Sequence, residues 1–306
     1  MAQIRTLEQL VESLKGAPAR RLVVAAGHDE HTIQAAARAA REGIAQVTLV
    51  GDGRRIASLC GRFGFDEGLF TVVDETSDAR AGAIARDMVR EGNADVLMKG
   101  LIGTETYMRL ILDKEKGLLP RGAVLSHVTV LDVPAYQATH GKLLLVSDVA
   151  IIPAPDVATK VRIVGYAVAA AHSFGIAEPK VALLAASEKV SERMPATVDA
   201  AIIAKMAERG QIEGALVDGP LALDVALSPE ACATKGLRSA VAGDADVLIF
   251  PNIETGNAFY KSATILGGAR LAAVVVGASA PCVLTSRADS EESKFFSIAM
   301  GCRLVV

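Results

Sequence analysis

Tryptophan is absent from this sequence of 306 residues, and Phe and Tyr bring the aromatic share to only 4%. Hydrophobic residues nevertheless make up 51% of the chain, so the apolar core must be built mainly from Ala, Val, Leu and Ile. Small aliphatic side chains of this kind suit helices that pack closely on a parallel β-sheet. The composition is that of an ordinary globular protein and excludes a mainly disordered chain.

Cysteine is scarce and scattered, and no two cysteines have the Cys-x-x-Cys spacing. The four residues are Cys60, Cys232, Cys282 and Cys302. Their positions exclude the usual zinc signatures and a compact disulfide framework. We expect most of them to be small buried residues in a reducing compartment.

The chain also lacks long apolar runs and an excess of positive charge. No stretch of about 18 uninterrupted apolar residues occurs, so no membrane span is expected. The opening MAQIRTLEQLVESLKG predicts a charged amphipathic helix and no signal peptide, which favours the cytoplasm. A net charge of −3 argues against nucleic acid or an anionic membrane as a partner. A phosphate-bearing ligand must therefore be bound by a few well-placed cations.

The sequence is instead a regular alternation of short apolar runs with amphipathic helical patterns. Runs such as RLVVAAG and ADVLMKG have the continuity of strands that are buried on both faces of a parallel sheet. The length is typical of two domains, and the rhythm predicts two doubly wound α/β domains. The one interruption is at residues 123–140, where strand character on both sides of Pro134 predicts an antiparallel hairpin without a helix.

Two motif-like segments do not form a recognised binding site. GDGRRI, which begins at Gly51, lacks the third glycine of the dinucleotide fingerprint, and no GxxxxGK[ST] P-loop occurs. HDEH, which begins at His28, offers imidazoles and carboxylates, but two histidines three residues apart without a third ligand are poor zinc geometry. The better interpretation is that Asp29 and Glu30 complement a helix dipole and that both histidines are surface groups.

Two polar clusters at predicted strand ends are the candidates for a functional site. In TSRADSEESK, residues 285–294, a strand ends in Ser-Arg, and Ser290 is placed to cap the helix that Glu291 begins. A hydroxyl, a guanidinium and a carboxylate meet there at a helix start, where oxyanions bind readily. A capped turn with an exposed arginine explains the same residues. In KGLIGTETYMRL, Arg109 follows Thr104 on one helix, and a solvated amphipathic helix is the alternative.

Six segments of the chain, in family order, resemble the phosphate acetyl/butyryltransferase family. They are ADVLMKGLIGTETYMRLILDKEKGLL, LSHVTVLDVPAY, LLLVSDVAIIPAPD, MPATVDAAIIAKMAERGQIEGALVDGPLALD, GDADVLIFPNIETGNAFYK and VLTSRADSEESK. VDGPLALD, PNIETGNAFYK and TSRADSEESK are closer to the butyryl branch than to the acetyl branch. The resemblance implies two α/β domains of the isocitrate/isopropylmalate dehydrogenase type with the active site in the cleft between them. The first would comprise residues 1–123 and 279–306, and the second residues 124–278.

The resemblance also implies an activity. Members of this family reversibly convert acyl-CoA and inorganic phosphate into acyl phosphate and CoA, by direct transfer in a ternary complex. We expect butyryl-CoA as the substrate, with acetyl-CoA as the alternative, no metal and no tightly bound cofactor, and a homodimer or larger homo-oligomer. A decarboxylating dehydrogenase shares the implied fold but needs metal-binding aspartates and a nicotinamide site, which we do not find in the sequence. A two-domain small-ligand binding protein is a further alternative.

The family's site residues can be matched to positions in this chain. Ser286 and Arg287 match the Ser-Arg pair of the family, and Arg109 matches its second phosphate-binding arginine. Two guanidiniums bind phosphate bidentately and stay charged at every relevant pH. A third family arginine has only Arg90 as a loose counterpart.

The chain departs from the acetyl branch at two positions. The basic aspartate proposed for that branch lies seven residues after the serine, where this chain has Ser293, so Asp289 or Glu292 is the candidate base unless it lies elsewhere. The branch also has a cysteine where this chain has Val149, whereas Asp148 is kept and is placed to hold an arginine. The other residues that we expect to bind substrate are Thr104, Ser126, Asp148, Asp218, Gly219, Asn252, Gly256, Asn257 and Lys261.

Overall fold

The computed structural model describes residues 2–286 and 289–305, and strands alternate with helices throughout them. The elements before residue 126 are α1 (Leu7–Glu12), β1 (Arg20–Ala25), α2 (Glu30–Arg41), β2 (Ala45–Gly51), α3 (Gly53–Phe63), a 3-10 helix (Glu67–Leu69), β3 (Phe70–Asp74), α4 (Asp78–Arg90), β4 (Val96–Lys99) and α5 (Thr104–Leu112).

The elements that follow continue the alternation. They are β5 (Ser126–Asp132), α6 (Pro134–His140), β6 (Leu144–Ser147), α7 (Val157–Ser173), β7 (Lys180–Leu184), α8 (Pro195–Glu208), β8 (Leu216–Leu221), α9 (Leu223–Leu227), α10 (Pro229–Lys235), β9 (Val247–Ile249), α11 (Ile253–Ile265), β10 (Arg270–Val276), β11 (Cys282–Val283) and α12 (Glu291–Arg303).

Contacts within the chain group these elements into two compact units. The N-terminal unit contains Leu7–Leu125 and residues 271–305, and the middle unit contains residues 2–6 and Ser126–Arg270. Each unit contains mainly parallel strands with helices packed on them, so the predicted α/β class is confirmed. The domains inferred from the sequence, which change after residues 123 and 278, stay a prediction.

In the N-terminal unit the strand order is β3-β2-β1-β4-β11-β10. All the pairs are parallel except β10 with β11, where Val275 lies opposite Cys282. β4 is buried at every position, which explains why its sequence is a continuous apolar run rather than an alternating one. The C-terminal helix α12 packs on α2, β4 and β11 and thereby completes this unit.

In the middle unit the strand order is β5-β6-β9-β7-β8, and only β5 and β6 pair in antiparallel fashion. An antiparallel pair does follow β5, but its second strand is β6, after residue 140, and the stretch after Pro134 that was expected to be strand is a helix. Pro134 begins α6, because proline lacks an N–H and is preorganised for the first position of a helix. Gly141, at φ +60°, ends the same helix in the left-handed conformation.

The core is aliphatic, as the composition predicts. Among the largest fully buried side chains are only four with rings, namely Tyr107, Phe174, Phe295 and Phe296. The four cysteines, all within the described residues, form no disulfide, and Cys60, Cys282 and Cys302 are buried. Burial raises the pKa of the Cys282 and Cys302 thiols to about 12. None of the described helices is long and apolar enough to cross a membrane.

An ionic network that is buried at Lys142 and Asp246 and open to solvent at Asp244 joins the amino ends of β6, β7 and β9 in the middle unit. Lys142 Nζ lies 2.7 Å from carboxylate oxygens of both Asp244 and Asp246, and Lys180 Nζ lies 2.7 Å from Asp244 Oδ2. Burial alone would raise the pKa of Asp244, but the hydrogen bonds from the two lysines outweigh it and lower the pKa to about 2. The stabilisation is therefore present above the ordinary carboxyl pKa and is lost as the pH falls toward 2.

We expect Lys142→Met to lower the free energy of unfolding by about 3 kcal/mol, because it leaves the buried Asp246 carboxylate without its ammonium partner. Urea denaturation followed by circular dichroism measures the change. The matched control is Lys205→Met, which removes an exposed pair with Glu208 and should leave the free energy of unfolding almost unchanged. Equal effects of the two substitutions would contradict the prediction.

Candidate active site

Three neighbouring strands of the N-terminal unit end side by side. β1 pairs in parallel with β4, and β4 pairs in parallel with β11, so their carboxyl ends meet at one edge of the sheet. Open α/β sheets bind ligands at this edge. The buried Lys99 is the last residue of β4, and Thr285 and Ser286 follow shortly after β11. The predicted Ser-Arg cluster therefore begins at the edge where a ligand site is expected.

Ser286 and Asp289 form a turn, called here the Ser286–Asp289 turn. The backbone N–H of Ser286 donates to Asp289 Oδ2 at 2.7 Å, and the N–H of Asp289 donates to the Ser286 carbonyl at 3.2 Å. Lys294 Nζ donates to the same carbonyl at 2.9 Å and to Thr285 Oγ1 at 3.2 Å. Ser286 is exposed, whereas Lys294 is only 3% exposed. The turn thus presents a serine at the surface while a buried ammonium holds its backbone.

Several predicted residues lie within or next to this turn. Arg287 falls outside the described residues, so its role stays a prediction. Ser290 caps α12 as expected, with Oγ accepting the Ser293 N–H at 3.1 Å. Asp289 has one carboxylate oxygen bound to the Ser286 N–H, and Glu292 lies half-buried in the first turn of α12. Both candidate bases therefore stand in the segment that follows Ser286, and the choice between them stays open.

Arg109 and Thr104 both lie on α5, as predicted. Arg109 has a side chain that is 74% exposed and pairs with Glu105 one turn earlier, at 2.5 Å. An exposed pair of this kind is weak, so a phosphate can replace the carboxylate at little cost. Arg90 lies in the last turn of α4, near Asp87, at the end of the helix that leads to the amino end of β4. The structure therefore does not bring Arg90 to the carboxyl edge.

Tyr107 attaches α5 to the sheet. Its hydroxyl lies 3.1 Å from the Leu97 carbonyl in β4 and 3.3 Å from the Val283 carbonyl in β11. The side chain is buried, and burial raises its pKa well above the usual value, so the hydroxyl remains a proton donor. The helix that carries Arg109 is therefore fixed to the strand that leads into the Ser286–Asp289 turn.

In the middle unit the predicted residues Asp148 and Ser126 are in direct contact. Asp148 Oδ2 accepts hydrogen bonds from Ser126 Oγ at 3.0 Å and from the His127 N–H at 3.2 Å. Oδ1 accepts from the backbone N–H groups of Ala150 and Ile151 at 2.8 and 2.9 Å. The carboxylate is 3% exposed and has two donors on each oxygen. Asp148 therefore organises the end of β6 rather than offering a free carboxylate.

The helix α11 packs against the same strand end. Asn252 caps this helix by accepting the Thr255 N–H at 3.0 Å. Asn257 Nδ2 donates to the Val149 carbonyl at 3.0 Å. At Gly256 an added Cβ would lie 2.4 Å from the backbone oxygen of Asp148, so the helix approaches closely because no side chain is present there. Gly256 and Asn257 thus meet the residues after β6, whereas Asn252 acts as the cap of α11.

Three other predicted residues are not part of this cluster. Lys261 is exposed, further along α11. Asp218 and Gly219 lie in β8, where Asp218 Oδ1 accepts the Gly219 N–H at 2.8 Å. In the sheet, β9 and β7 separate β8 from β6, which at about 4.8 Å per strand is roughly 14 Å. These positions are therefore compatible with an extended ligand and not with a shared catalytic centre.

We expect Gly256→Ala to lower the free energy of unfolding by about 2 kcal/mol, because the new methyl group meets backbone that cannot rotate away. The matched control is Gly165→Ala on α7, where an added Cβ meets nothing within 4 Å. That substitution should stabilise the protein by about 0.5–1 kcal/mol, since alanine is the better helix former. Thermal unfolding measures both, and a neutral Gly256→Ala would refute the close-approach argument.

Of the two histidines of the HDEH segment, His31 is exposed as predicted, but the prediction is wrong for His28. Asp29 caps α2 as expected, but His28 is buried. Its Nδ1 accepts the Asp52 N–H at 3.3 Å, its Nε2 lies 3.6 Å from Asp78 Oδ1, and burial lowers its pKa. The reason is position, since His28 follows β1 directly and lies under the start of α3. Within the described residues no three potential metal ligands are grouped together.

Sequence reasoning assigned no role to Lys294 and His127. Lys294 ends the TSRADSEESK motif and lies in the first turn of α12, just after the capping Ser290. Because side chains of a helix point toward its amino end, this position indicates that Lys294 faces the strand end. His127 follows Ser126 in a strand that is buried at every position, and its Nδ1 lies 3.1 Å from Thr129 Oγ1. In an entirely buried strand, alternation does not separate functional from core side chains, so no sequence signal marks His127.

The comparisons with known proteins agree with these features. The family profile described as "Phosphate acetyl/butaryl transferase" matches residues 5–87 and 74–302. The phosphate butyryltransferase of Clostridium acetobutylicum is 42% identical over 97% of this chain and 97% of its own length. The phosphate acetyltransferase of Thermotoga maritima is 40% identical over 96% of this chain and 98% of its own length. A crystal structure of a branched-chain phosphotransacylase from Enterococcus faecalis has a TM-score of 0.81 and 35% identity, and covers 94% of this chain and 99% of that one.

On the fold alone, the chain is also similar to a 4-hydroxythreonine-4-phosphate dehydrogenase from Klebsiella pneumoniae, with a TM-score of 0.54 at 13% identity. The strand edges with their polar turns define an α/β protein that has polar residues at the carboxyl ends of parallel strands. The chain belongs to the phosphate acetyl/butyryl transferase family. The resemblance inferred from the six sequence segments is thereby confirmed.

Proposed function

We propose that this protein is a phosphate acyltransferase that converts a short-chain acyl-CoA and inorganic phosphate reversibly into acyl phosphate and CoA, with butyryl-CoA preferred over acetyl-CoA. Phosphate acetyltransferase activity is the alternative, since relatives of both kinds are about equally similar. The observation that supports the proposal most is the Ser286–Asp289 turn at a carboxyl strand edge, in the motif that also carries Arg287. The substrates are then small molecules, and nucleic acid is not a partner.

The chemistry asks for groups of the kind that this segment offers. An oxygen of phosphate attacks the thioester carbonyl, the new C–O bond forms, and the C–S bond breaks to release CoA as a thiolate. Arg287 and Arg109 would hold the phosphate, and hydroxyl or N–H donors such as Ser286 would stabilise the tetrahedral oxyanion. A carboxylate relays the proton of phosphate to the thiolate. Direct transfer requires no covalent enzyme intermediate.

The test is the release of free CoA from butyryl-CoA by the purified protein, measured with a thiol reagent with and without phosphate. We expect release that depends on phosphate and is faster with butyryl-CoA than with acetyl-CoA. No release above a boiled control would refute the acyltransferase proposal. Faster turnover of acetyl-CoA would refute only the chain-length preference and favour the acetyltransferase alternative. The same protein with NAD or NADP should show no absorbance change.

The base is tested by Asp289→Asn and Glu292→Gln, which remove charge and preserve shape. If Asp289 takes the proton, its variant should lose more than tenfold in kcat with a small change in the KM for phosphate, since the amide oxygen still accepts the Ser286 N–H. Glu292→Gln should then retain most of the activity, or the reverse if Glu292 is the base. Full activity of both variants would place the base elsewhere.

We further propose a homodimer, no tightly bound cofactor and a cytoplasmic location. At the end of α11, Ile265 and Leu266 are 77% and 84% exposed, and apolar side chains so exposed support a contact with a second copy. Light scattering of the purified protein tests the dimer, and a monomer at all concentrations would refute it. The cytoplasmic location stays a prediction.

A further inference from the structure

Lys294 is a buried cation with an unusual set of partners. The side chain is 3% exposed, and burial lowers its pKa while the charges of Asp29 and Asp289 act in the opposite direction. Within the described residues it forms no ion pair, and its hydrogen bonds go to two uncharged oxygens, on Thr285 and Ser286. Burying an ammonium without a carboxylate in contact is costly. Stability alone therefore does not explain this lysine.

The backbone that Lys294 binds has little other support from the sheet. β11 contains only two residues, and its ladder with β4 ends at Val283, before Thr285 is reached. The Ser286 carbonyl also accepts the Asp289 N–H at 3.2 Å, within the turn itself. The shorter contact, 2.9 Å, comes from Lys294. The ammonium is thus the link between this turn and the body of α12.

The carbonyl in question belongs to the peptide bond that joins Ser286 to the next residue in the sequence, Arg287. The contact with Lys294 therefore fixes the carbonyl side of Ser286. The other side of the same residue is held as well, because the Ser286 N–H donates to Asp289 Oδ2 at 2.7 Å. Both backbone groups of Ser286 are therefore bound to charged side chains.

We propose that Lys294 is the positioning residue of the phosphate site. It holds the Thr285 hydroxyl and the Ser286 carbonyl in the orientation that phosphate binding requires, and it does not touch the substrate. This inference rests on the proposed function for its kinetic part only. The carboxylate of Asp289 holds the turn from one side and the ammonium of Lys294 from the other. Loss of the ammonium lets the turn reorient and should affect phosphate much more than acyl-CoA.

The test is Lys294→Met, which keeps the length of the side chain and removes its charge and its hydrogen bonds. We expect the KM for phosphate to rise at least tenfold while the KM for butyryl-CoA changes less than threefold. We also expect the rise in Tm that millimolar phosphate gives the wild-type protein to disappear, while the rise given by CoA remains. The matched control is Lys142→Met, another buried lysine but at the amino edge of its sheet, which should lower the Tm and leave both KM values within twofold.

Unchanged KM for phosphate and an unchanged phosphate-induced Tm shift in Lys294→Met would overturn the proposal and leave Lys294 as an ordinary core residue. If that variant does not fold, Thr285→Val decides, because it removes one acceptor of the ammonium. A three- to tenfold rise in the KM for phosphate supports the proposal, and an unchanged KM overturns it. If wild-type protein fails to turn over acyl-CoA, the proposed function fails, while the phosphate-induced Tm shift still tests positioning at an anion site.

Discussion

Replacing Arg287 by alanine should lower kcat/KM for phosphate by about 100-fold or more. The substitution removes a guanidinium that, by its match to the family's Ser-Arg pair, binds phosphate bidentately, and charge-assisted pairs of this kind are among the strongest hydrogen bonds in proteins. A 100-fold loss corresponds to about 2.7 kcal/mol of transition-state stabilisation. Steady-state kinetics over a wide range of phosphate concentration measures the effect, and the circular dichroism spectrum should be unchanged.

The matched control is Arg62→Ala, which removes an exposed arginine whose partner is Glu30. Its kcat/KM should remain within twofold of the wild-type value, since exposed pairs contribute little. If Arg287→Ala retained the wild-type rate at saturating phosphate and the wild-type KM, the phosphate would have to bind elsewhere. Arg109 on α5 would then be the remaining cation among those that the sequence singled out.

Asp148→Asn should lower both stability and activity, although it changes one atom. The carboxylate accepts from two donors on each oxygen, so an amide nitrogen at either position faces two N–H or O–H groups with hydrogens of its own. Leaving buried donors without an acceptor costs about 1–3 kcal/mol each, which predicts a loss of about 3 kcal/mol. Because Ser126 and the residues after β6 would shift, we also expect kcat/KM to fall more than tenfold. Urea denaturation and steady-state kinetics measure the two effects.

Asp156→Asn is the matched control, because Asp156 is an exposed helix cap that accepts the Thr159 N–H at 2.8 Å. Asparagine caps helices about as well as aspartate, so this variant should be neutral in both measurements. A stable and active Asp148→Asn would show that the four hydrogen bonds do not determine the strand end, and that the charge of Asp148 is dispensable.

The α/β class and most elements follow from local patterns, because continuous apolar runs such as β4 and capping residues such as Asp29 and Ser290 act over a few residues. The prediction around Pro134 is wrong because β5, α6 and β6 follow one another closely in the sequence. A proline can interrupt a strand, but it can equally begin a helix, and the local pattern does not distinguish the two. The burial of His28 depends on a strand-to-helix turn from a neighbouring βα unit, which no local pattern contains.

In the candidate site, too, some features follow from local sequence patterns and others from contacts between distant residues. The motif at residues 285–294 identifies the strand end and the helix cap, since both are local. Two of the four donors to Asp148, Ser126 and the His127 N–H, lie about 20 positions away in the sequence, and the approach of α11 at Gly256 joins residues still further apart. Single-sequence patterns give the type of residue at such positions, whereas the contacts give its role.

The burial of the cysteines has a practical consequence for spectroscopy. Three of the four thiols are buried, and two of these have strongly raised pKa values, so the thiolate that reacts with maleimides is scarce there at neutral pH. The half-buried Cys232, on α10, is then the preferred site for attaching a single fluorophore to the native protein. Since the chain also lacks tryptophan, one introduced tryptophan would be the main source of intrinsic fluorescence. A dye on Cys232 could likewise be observed without tryptophan emission.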